Sequence, residues 1–301
     1  MWGDFLYYIQ ESDKPSWLNE KFNIIKLEDN KIILPIEGKE KIDNKNDKEF
    51  KEISKKISDK KAQKLVQKTK RILEKTNSKK LVISKSIKQI TNYVNYLYSY
   101  NYEIVDSRWL FEVLSVKALD FIVEKKKLLK EETKVGILVN DLTEYTLENI
   151  KVIVKQYKSV NIVTNHIEKF KKIEEQIFEE DGIIIAVNNN KKKSLVKTDL
   201  ILNIDFPSEL INQYNINDDA IIVNIKGNIK INKKRFKGIN INDYEIKFEK
   251  NEVFDGIDLN EYKLAEIYEA KLHKKTPYKN VMEIFEKDKV EIQMLQGSNC
   301  Y

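Results

Sequence analysis

The chain has 301 residues, with 54 Lys and Arg against 48 Asp and Glu for a formal net charge of +6, and one cysteine, Cys300. That length suits two ordinary domains, and a lone cysteine excludes an internal disulfide scaffold, which fits a reducing cytosol. His166 and His273 stand far apart without cysteine partners, so no metal site is expected, and no apolar run approaches the about 18 residues of a membrane span. With no cationic-then-apolar leader either, the expectation is a soluble cytoplasmic protein. The basic residues are spread evenly through a chain rich in Lys, Ile and Asn, so a solvated lysine surface is expected before a nucleic-acid-binding face.

In chain order, Asp4 to Ile9 reads as a short β element, and Asn23–Leu27 and Lys31–Ile36 flank a turn at Asp29-Asn30 as a covering β-hairpin. Gly38 to Asp47 lacks an apolar period and reads as a polar loop. From Ser58 the spacing of Ala62, Leu65, Val66, Thr69, Ile72 and Leu73 predicts an amphipathic helix. Leu81 to Ser84, a helix from Ser86 to about Tyr100, and Glu103 to Val105 form a βαβ unit. Beyond Ser107, Arg108 to about Leu129 is apolar on most sides in its first turns, which predicts a long buried helix joining two lobes.

From Lys134 to Asp243 apolar runs alternate with polar helical segments. The runs are Val135–Val139, Val160–Thr164, Gly182–Val187, Asp199–Ile204 and Ala220–Ile225. Rich in β-branched residues and almost without polar alternation, they read as strands buried on both faces of a parallel sheet, and all five are expected to be central. Glu245 to Phe248 predicts a last extended piece. A helix from near Asp258 and another started by Thr276-Pro277 are expected to fold back on the first lobe, with Gln296 to Tyr301 frayed. The fold class is therefore α/β with two lobes: a smaller N-terminal α/β lobe with a hairpin over 1–129, a doubly wound, mainly parallel Rossmann-like sheet over 130–250, and C-terminal helices over 251–301.

The text Leu202-Asn203-Ile204-Asp205-Phe206-Pro207, then Asp219-Ala220-Ile221-Ile222-Val223-Asn224-Ile225, then Phe236-Lys237-Gly238-Ile239-Asn240-Ile241 resembles the shikimate dehydrogenase, methylene-tetrahydrofolate dehydrogenase and glutamyl-tRNA reductase group over about 110 residues. The resemblance implies NAD(P) at the first βα turn. It also implies a catalytic Lys and Asp at strand ends, for which Lys85, Asp106 and Asp205 are the candidates.

The turn itself departs from that group. A dinucleotide turn needs glycines so that backbone N–H groups can approach the pyrophosphate at a helix N-terminus. Here the chain reads Val139-Asn140-Asp141-Leu142-Thr143-Glu144-Tyr145, with no glycine after Gly136. Asp141 and Glu144 place negative charge where phosphates would rest, and Thr143 or Asp141 reads as an ordinary helix N-cap.

The ends of the five runs are still polar: Asn140 and Asp141; Thr164, Asn165 and His166; Asn188, Asn189 and Asn190; Asn203 with Asp205; and Asn224. They read either as loop formers, since Asn bonds its own backbone, or as one ligand edge. Lys191, Lys192 and Lys193, with Lys197, could hold an anionic small molecule or an acidic protein partner, or simply be solvated. The expected function is a binding or regulatory protein that has lost dinucleotide chemistry and needs no cofactor, with a homodimer allowed. The alternatives are an NAD(P)-dependent oxidoreductase with an atypical phosphate loop and, after it, a basic nucleic-acid-binding protein.

Overall fold

The computed structural model describes residues 6–12, 15–37, 57–76, 79–249, 257–272 and 274–298. Asp4, the polar loop expected over Gly38 to Asp47, His273 and Cys300 lie outside the described residues. Two compact units result, Met1–Ser107 with Phe254–His273, and Arg108–Val253 with Lys274–Tyr301. The first break falls before Arg108, so the helical stretch expected to close the N-terminal lobe belongs to the second unit.

The first unit is built on β1 (Tyr7–Ser12), α1 (Trp17–Phe22), β2 (Lys26–Glu28), β3 (Lys31–Glu37), α2 (Asp59–Thr76), β4 (Lys80–Ile83), α3 (Lys85–Lys88), α4 (Thr91–Ser99) and β5 (Glu103–Ile104). The sheet order is β2-β3-β1-β4-β5. The hairpin of β2 and β3 turns at Asp29, whose φ of 50° suits an Asp. It is part of the sheet and not a cover, because β3 also pairs in parallel with β1. The predicted face of α2 buries Ala62, Leu65, Val66, Thr69 and Leu73, and the Thr69 hydroxyl meets the Tyr93 hydroxyl of α4 at 2.9 Å. Each fully buried Leu or Val contributes about 1.5–3 kcal/mol, so this face is what holds α2 down. The helix expected over Ser86 to Tyr100 is two, because Gln89 and Ile90 end α3 before α4 starts.

The second unit starts with α5 (Arg108–Val113) and α6 (Ser115–Lys126), two helices where one long helix was expected, separated at Leu114. There follow β6 (Lys134–Leu138), α7 (Glu144–Gln156), β7 (Ser159–Val163), α8 (Ile167–Asp181), β8 (Ala186–Asn188), β9 (Leu200–Asn203), α9 (Ser208–Ile211), β10 (Ile221–Asn224) and β11 (Ile239–Lys247). α10 (Leu264–Lys271) belongs to the first unit, whereas α11 (Tyr278–Asp288) and β12 (Glu291–Ser298) belong to the second.

The seven strands stand in the order β12-β11-β10-β9-β6-β7-β8, and only β12 runs antiparallel. Taken from β8, the parallel strands of the unit follow one another as third, second, first, fourth, fifth and sixth, which is the Rossmann order. The second unit is therefore a Rossmann-like α/β domain. Three expectations need correction. The run Gly182–Val187 supplies only a three-residue edge strand, because α8 continues to Asp181 and Gly182 caps it at φ 68°; Ile184 is 78% exposed. Glu245 to Lys247 are no separate piece but the last residues of β11, and Phe248 lies just beyond it. Gln296 to Ser298 are not frayed: they pair with β11.

No helix spans the connection from β8 to β9. A strap, residues 189–199, takes its place and lies directly on β6: a Cβ added to Gly136 would stand 2.9 Å from Leu195 Cδ2 and 3.0 Å from Thr198 Cγ2. Gly136 is thus in the strand to make room for the strap, and has no part in a phosphate turn.

Candidate functional site

The strand order reverses between β6 and β9, which is where open parallel sheets take ligands, in the crevice beyond the carboxyl ends of the strands. The turn from β6 into α7 lines one side. Its first backbone amides point at an anion, as they would in a dinucleotide site, but the anion is the chain's own. Asn140 N–H donates to the Asp205 carboxylate at 2.9 and 3.0 Å, and Asp141 N–H donates to it at 2.7 Å. Half-burial pushes the Asp205 carboxyl above the usual Asp range; the two amides and Lys226 act against that shift, and Asp141 adds to it.

A second carboxylate closes the turn from below. Glu112, buried in α5, accepts from the Thr146 hydroxyl at 2.6 Å and from the Thr143 hydroxyl, while its backbone oxygen accepts from Asn149 Nδ2 at 2.7 Å. Thr143 is also the N-cap of α7, accepting from Thr146 N–H at 3.0 Å. Lys226 Nζ stands 4.0 Å from Glu112 Oε2. Glu144 Oε1 accepts from Tyr278 N–H at 3.0 Å. The first turn of α7 is therefore ringed by Glu112, Asp141, Glu144 and Asp205, with Lys226 as counter-charge.

The other polar strand ends are consumed internally. Asn203 and Asn224 lie side by side on β9 and β10; Asn203 Nδ2 donates to Asn224 Oδ1 at 2.9 Å and to Phe206 O at 3.0 Å, and its Oδ1 takes Phe206 N–H at 2.9 Å. Asn224 Nδ2 faces Asn240 Oδ1, Ile241 O and Asn242 Oδ1 at 2.8–3.0 Å. Asn240 and Asn242 tie the ladder to Ile229. In this ladder the buried asparagines spend their polarity on backbone and on each other. Thr164 is buried and accepts from His166 N–H at 3.0 Å, and Asn165 N–H donates to Asn140 Oδ1 at 2.9 Å. His166 is exposed at the N-cap position of α8 without a side-chain capping bond.

The strap residues are placed elsewhere. Asn188 donates to Asn161 Oδ1 at 2.6 Å, and Asn190 Oδ1 accepts from Lys192 and Lys193 N–H at 3.0 and 3.1 Å, while Asn189 is exposed. Lys191 Nζ donates to Gln213 Oε1 at 2.6 Å. Lys192, Lys193 and Lys197 line a cleft with Lys134 and Ser159, residues that begin β6 and β7, so these lysines stand toward the amino ends of the strands and not at the crevice.

Lys85 and Asp106 lie in the first unit and Asp205 in the second. Lys85 Nζ donates to Asn260 O at 3.2 Å, and next to it the Ser84 hydroxyl donates to Glu11 Oε2 at 3.1 Å across the ends of β4 and β1. Asp106 is exposed, and its charge adds to the burial that raises the Tyr98 hydroxyl. Among the described residues no group of three or more His, Cys, Asp or Glu is placed to hold a metal, and no helix is long and apolar enough to cross a membrane. Sequence reasoning missed Glu112 and Lys226. Glu112 stands between the apolar Trp109-Leu110-Phe111 and Val113, and a charge inside such a run was the available signal.

No protein-family model matches the chain, and no curated relative matches it in sequence. Among solved structures the chain is similar to a shikimate 5-dehydrogenase-like protein at 10% identity and a TM-score of 0.30, covering 79% of this chain and 84% of that one. It is similar to L-tryptophan dehydrogenase from Nostoc punctiforme at 12% identity and 0.32, covering 85% and 69%. It is also similar to ornithine carbamoyltransferase from Pyrococcus furiosus at 15% and 0.27, covering 72% and 69%. The Rossmann-like assignment rests on the strand order and register described above.

Proposed function

We propose that this is a cytosolic Rossmann-like binding or regulatory protein in which Asp205 occupies the place of the dinucleotide phosphates. The observation that carries the reading is the acceptance of two backbone amides, Asn140 and Asp141, by one carboxylate. A pyrophosphate would have to displace Asp205 and then sit among Asp141, Glu144 and Glu112. Two unit charges 4 Å apart near a protein surface interact by about 4 kcal/mol, so two or three such repulsions exceed the about 5.5 kcal/mol of a 100 μM complex. NADH and NADPH are therefore expected to bind more weakly than about 100 μM in a fluorescence titration, and low-micromolar binding by the unaltered protein would overturn the reading.

A second reading is favoured by one specific feature. The amides of the turn still converge on an anion, so an NAD(P)-dependent oxidoreductase would need only that Asp205 move away or become protonated. That reading requires dinucleotide affinity to rise in the D205A variant and as pH falls through the raised Asp205 pKa. The binding-protein reading requires both to leave affinity weak, because Asp141, Glu144 and Glu112 remain.

A further inference from the structure

The strap crosses the parallel sheet without a helix, as the connection from β10 to β11 also does. It is nevertheless held at many points. Asn190 Oδ1 fixes Lys192 and Lys193 N–H, the Ser194 hydroxyl donates to Asn190 O at 2.6 Å, and Asn161 Nδ2 donates to Ser194 O at 2.9 Å. Asn215 N–H donates to Lys191 O at 2.7 Å and Asn217 N–H to Leu195 O at 3.0 Å. Leu195 is fully buried and bridges to Ile216, and Gly136 gives Leu195 and Thr198 their place on β6. Backbone conformation is therefore fixed where the lysines stand, and the ordering entropy that a loose loop would lose on binding is already spent in folding.

The cleft beside the strap has a volume of about 520 Å³, and its lining includes Lys134, Lys192, Lys193, Lys197, Ser159 and Asn161. Among the described residues none of these four ammonium groups has a hydrogen-bond or ion-pair partner, and the Ser159 hydroxyl has none either. The nearby carboxylate, Asp199, accepts the Lys134 backbone N–H at 2.9 Å. Elsewhere on the unit exposed lysines do find carboxylates: Lys155 pairs with Asp181, Lys158 with Glu131 and Lys247 with Glu291. Four cations left unneutralised around one concavity raise the local positive potential and attract multiply charged anions. The compact lysine ammonium suits phosphate oxygens as a point charge, and neither an aromatic ring nor an arginine lines the cleft to stack a base.

We propose that this cleft, at the amino ends of β6 and β7, binds an oligophosphate through Lys134, Lys192, Lys193 and Lys197. The ligand is a di- or triphosphate group, inorganic or carried by a nucleoside. The site is separate from the crevice between β6 and β9, and either assignment can fail without the other.

The test is calorimetric titration of the full chain with inorganic triphosphate, in parallel with ATP and a short single-stranded oligonucleotide. Triphosphate is expected to bind with a sub-millimolar Kd at low salt and to weaken as salt rises, the Debye length being about 8 Å at physiological ionic strength. K192Q/K193Q/K197Q should lose at least about tenfold, whereas K169Q/K171Q/K172Q on α8, which removes the same formal charge, should change affinity by less than about twofold. Equal affinity for ATP and triphosphate would assign recognition to the phosphates alone, and tighter ATP binding would place a nucleoside beside them; both support the site. Absence of triphosphate binding, equal loss in the two triple variants, or oligonucleotide binding tighter than triphosphate would overturn it, the last in favour of an open nucleic-acid surface. Should the strap triple variant fail to fold, K134Q and K192Q singly give the same comparison.

Discussion

The crevice between β6 and β9 and the cleft beside the strap lie on one sheet, and their charges are handled in opposite ways. At the crevice four donors that could hold an anion are matched from within: the Asn140 and Asp141 amides by Asp205, the Thr143 and Thr146 hydroxyls by Glu112. At the cleft Lys134, Lys192, Lys193 and Lys197 are left without partners on a backbone held in place. Position in a fold alone therefore does not fix where charges are left unpaired: the Rossmann order points to the first place, and the unpaired cations stand at the second.

The largest effect that could break this comparison is expected at the asparagine ladder behind the crevice. N224A removes a buried amide that faces Asn203, Asn240, Asn242 and Ile241, and should cost about 2–3 kcal/mol in urea denaturation. A loss under about 0.5 kcal/mol would mean that the ladder has slack to accept a ligand. Next, G136A should cost about 1–3 kcal/mol by pressing a methyl against Leu195 and Thr198, and should loosen the strap, so that amide exchange over Ser194 to Thr198 quickens. Unchanged exchange there would show that the strap does not depend on β6.

Asp205 sharpens the comparison through pH. Its folded pKa is raised, burial being the main cause, so the folded state holds this proton more tightly than the unfolded chain does. The associated stability is present in full below the ordinary Asp pKa and is lost as pH rises through the raised value. The difference in unfolding free energy between wild type and D205N should therefore shift against the wild type as pH rises through that window. D141N, which removes a neighbouring negative charge, should move the Asp205 titration to lower pH when followed by carboxyl NMR; a shift upward would contradict the geometry of the turn. The smallest effect belongs to the strap lysines: K192Q/K193Q/K197Q should alter stability by no more than about 0.5 kcal/mol, since these side chains are exposed and unpaired.

Much of the fold was legible because burial on both faces selects β-branched residues. Val135–Leu138, Leu200–Leu202 and Ile221–Val223 could be read as interior strands from composition alone, and they are. Ile183 to Ile185 carry the same composition and were misread, because the C-cap at Gly182 and the edge position of β8 depend on where α8 ends. β12 was missed: only Ile292 and Leu295 are buried among its hydrophobic residues, and its pairing with β11 contains two irregularities that break the alternation of a regular strand.

The α/β rhythm, the absence of glycines in the turn after β6 and the acidic residues that stand there can all be read along the chain. Those are local properties, written in neighbouring residues and carried by period and charge. What the turn does with its amides follows from folding alone, because the carboxylate that takes them is 65 residues away from Asn140. Only the tertiary structure, too, joined Lys134 to Lys192, Lys193 and Lys197 and set Lys191 apart with Gln213. Electrostatic and hydrogen-bond partners are chosen by distance in space, and a chain that crosses back over its own sheet makes that distance unreadable from spacing along the sequence.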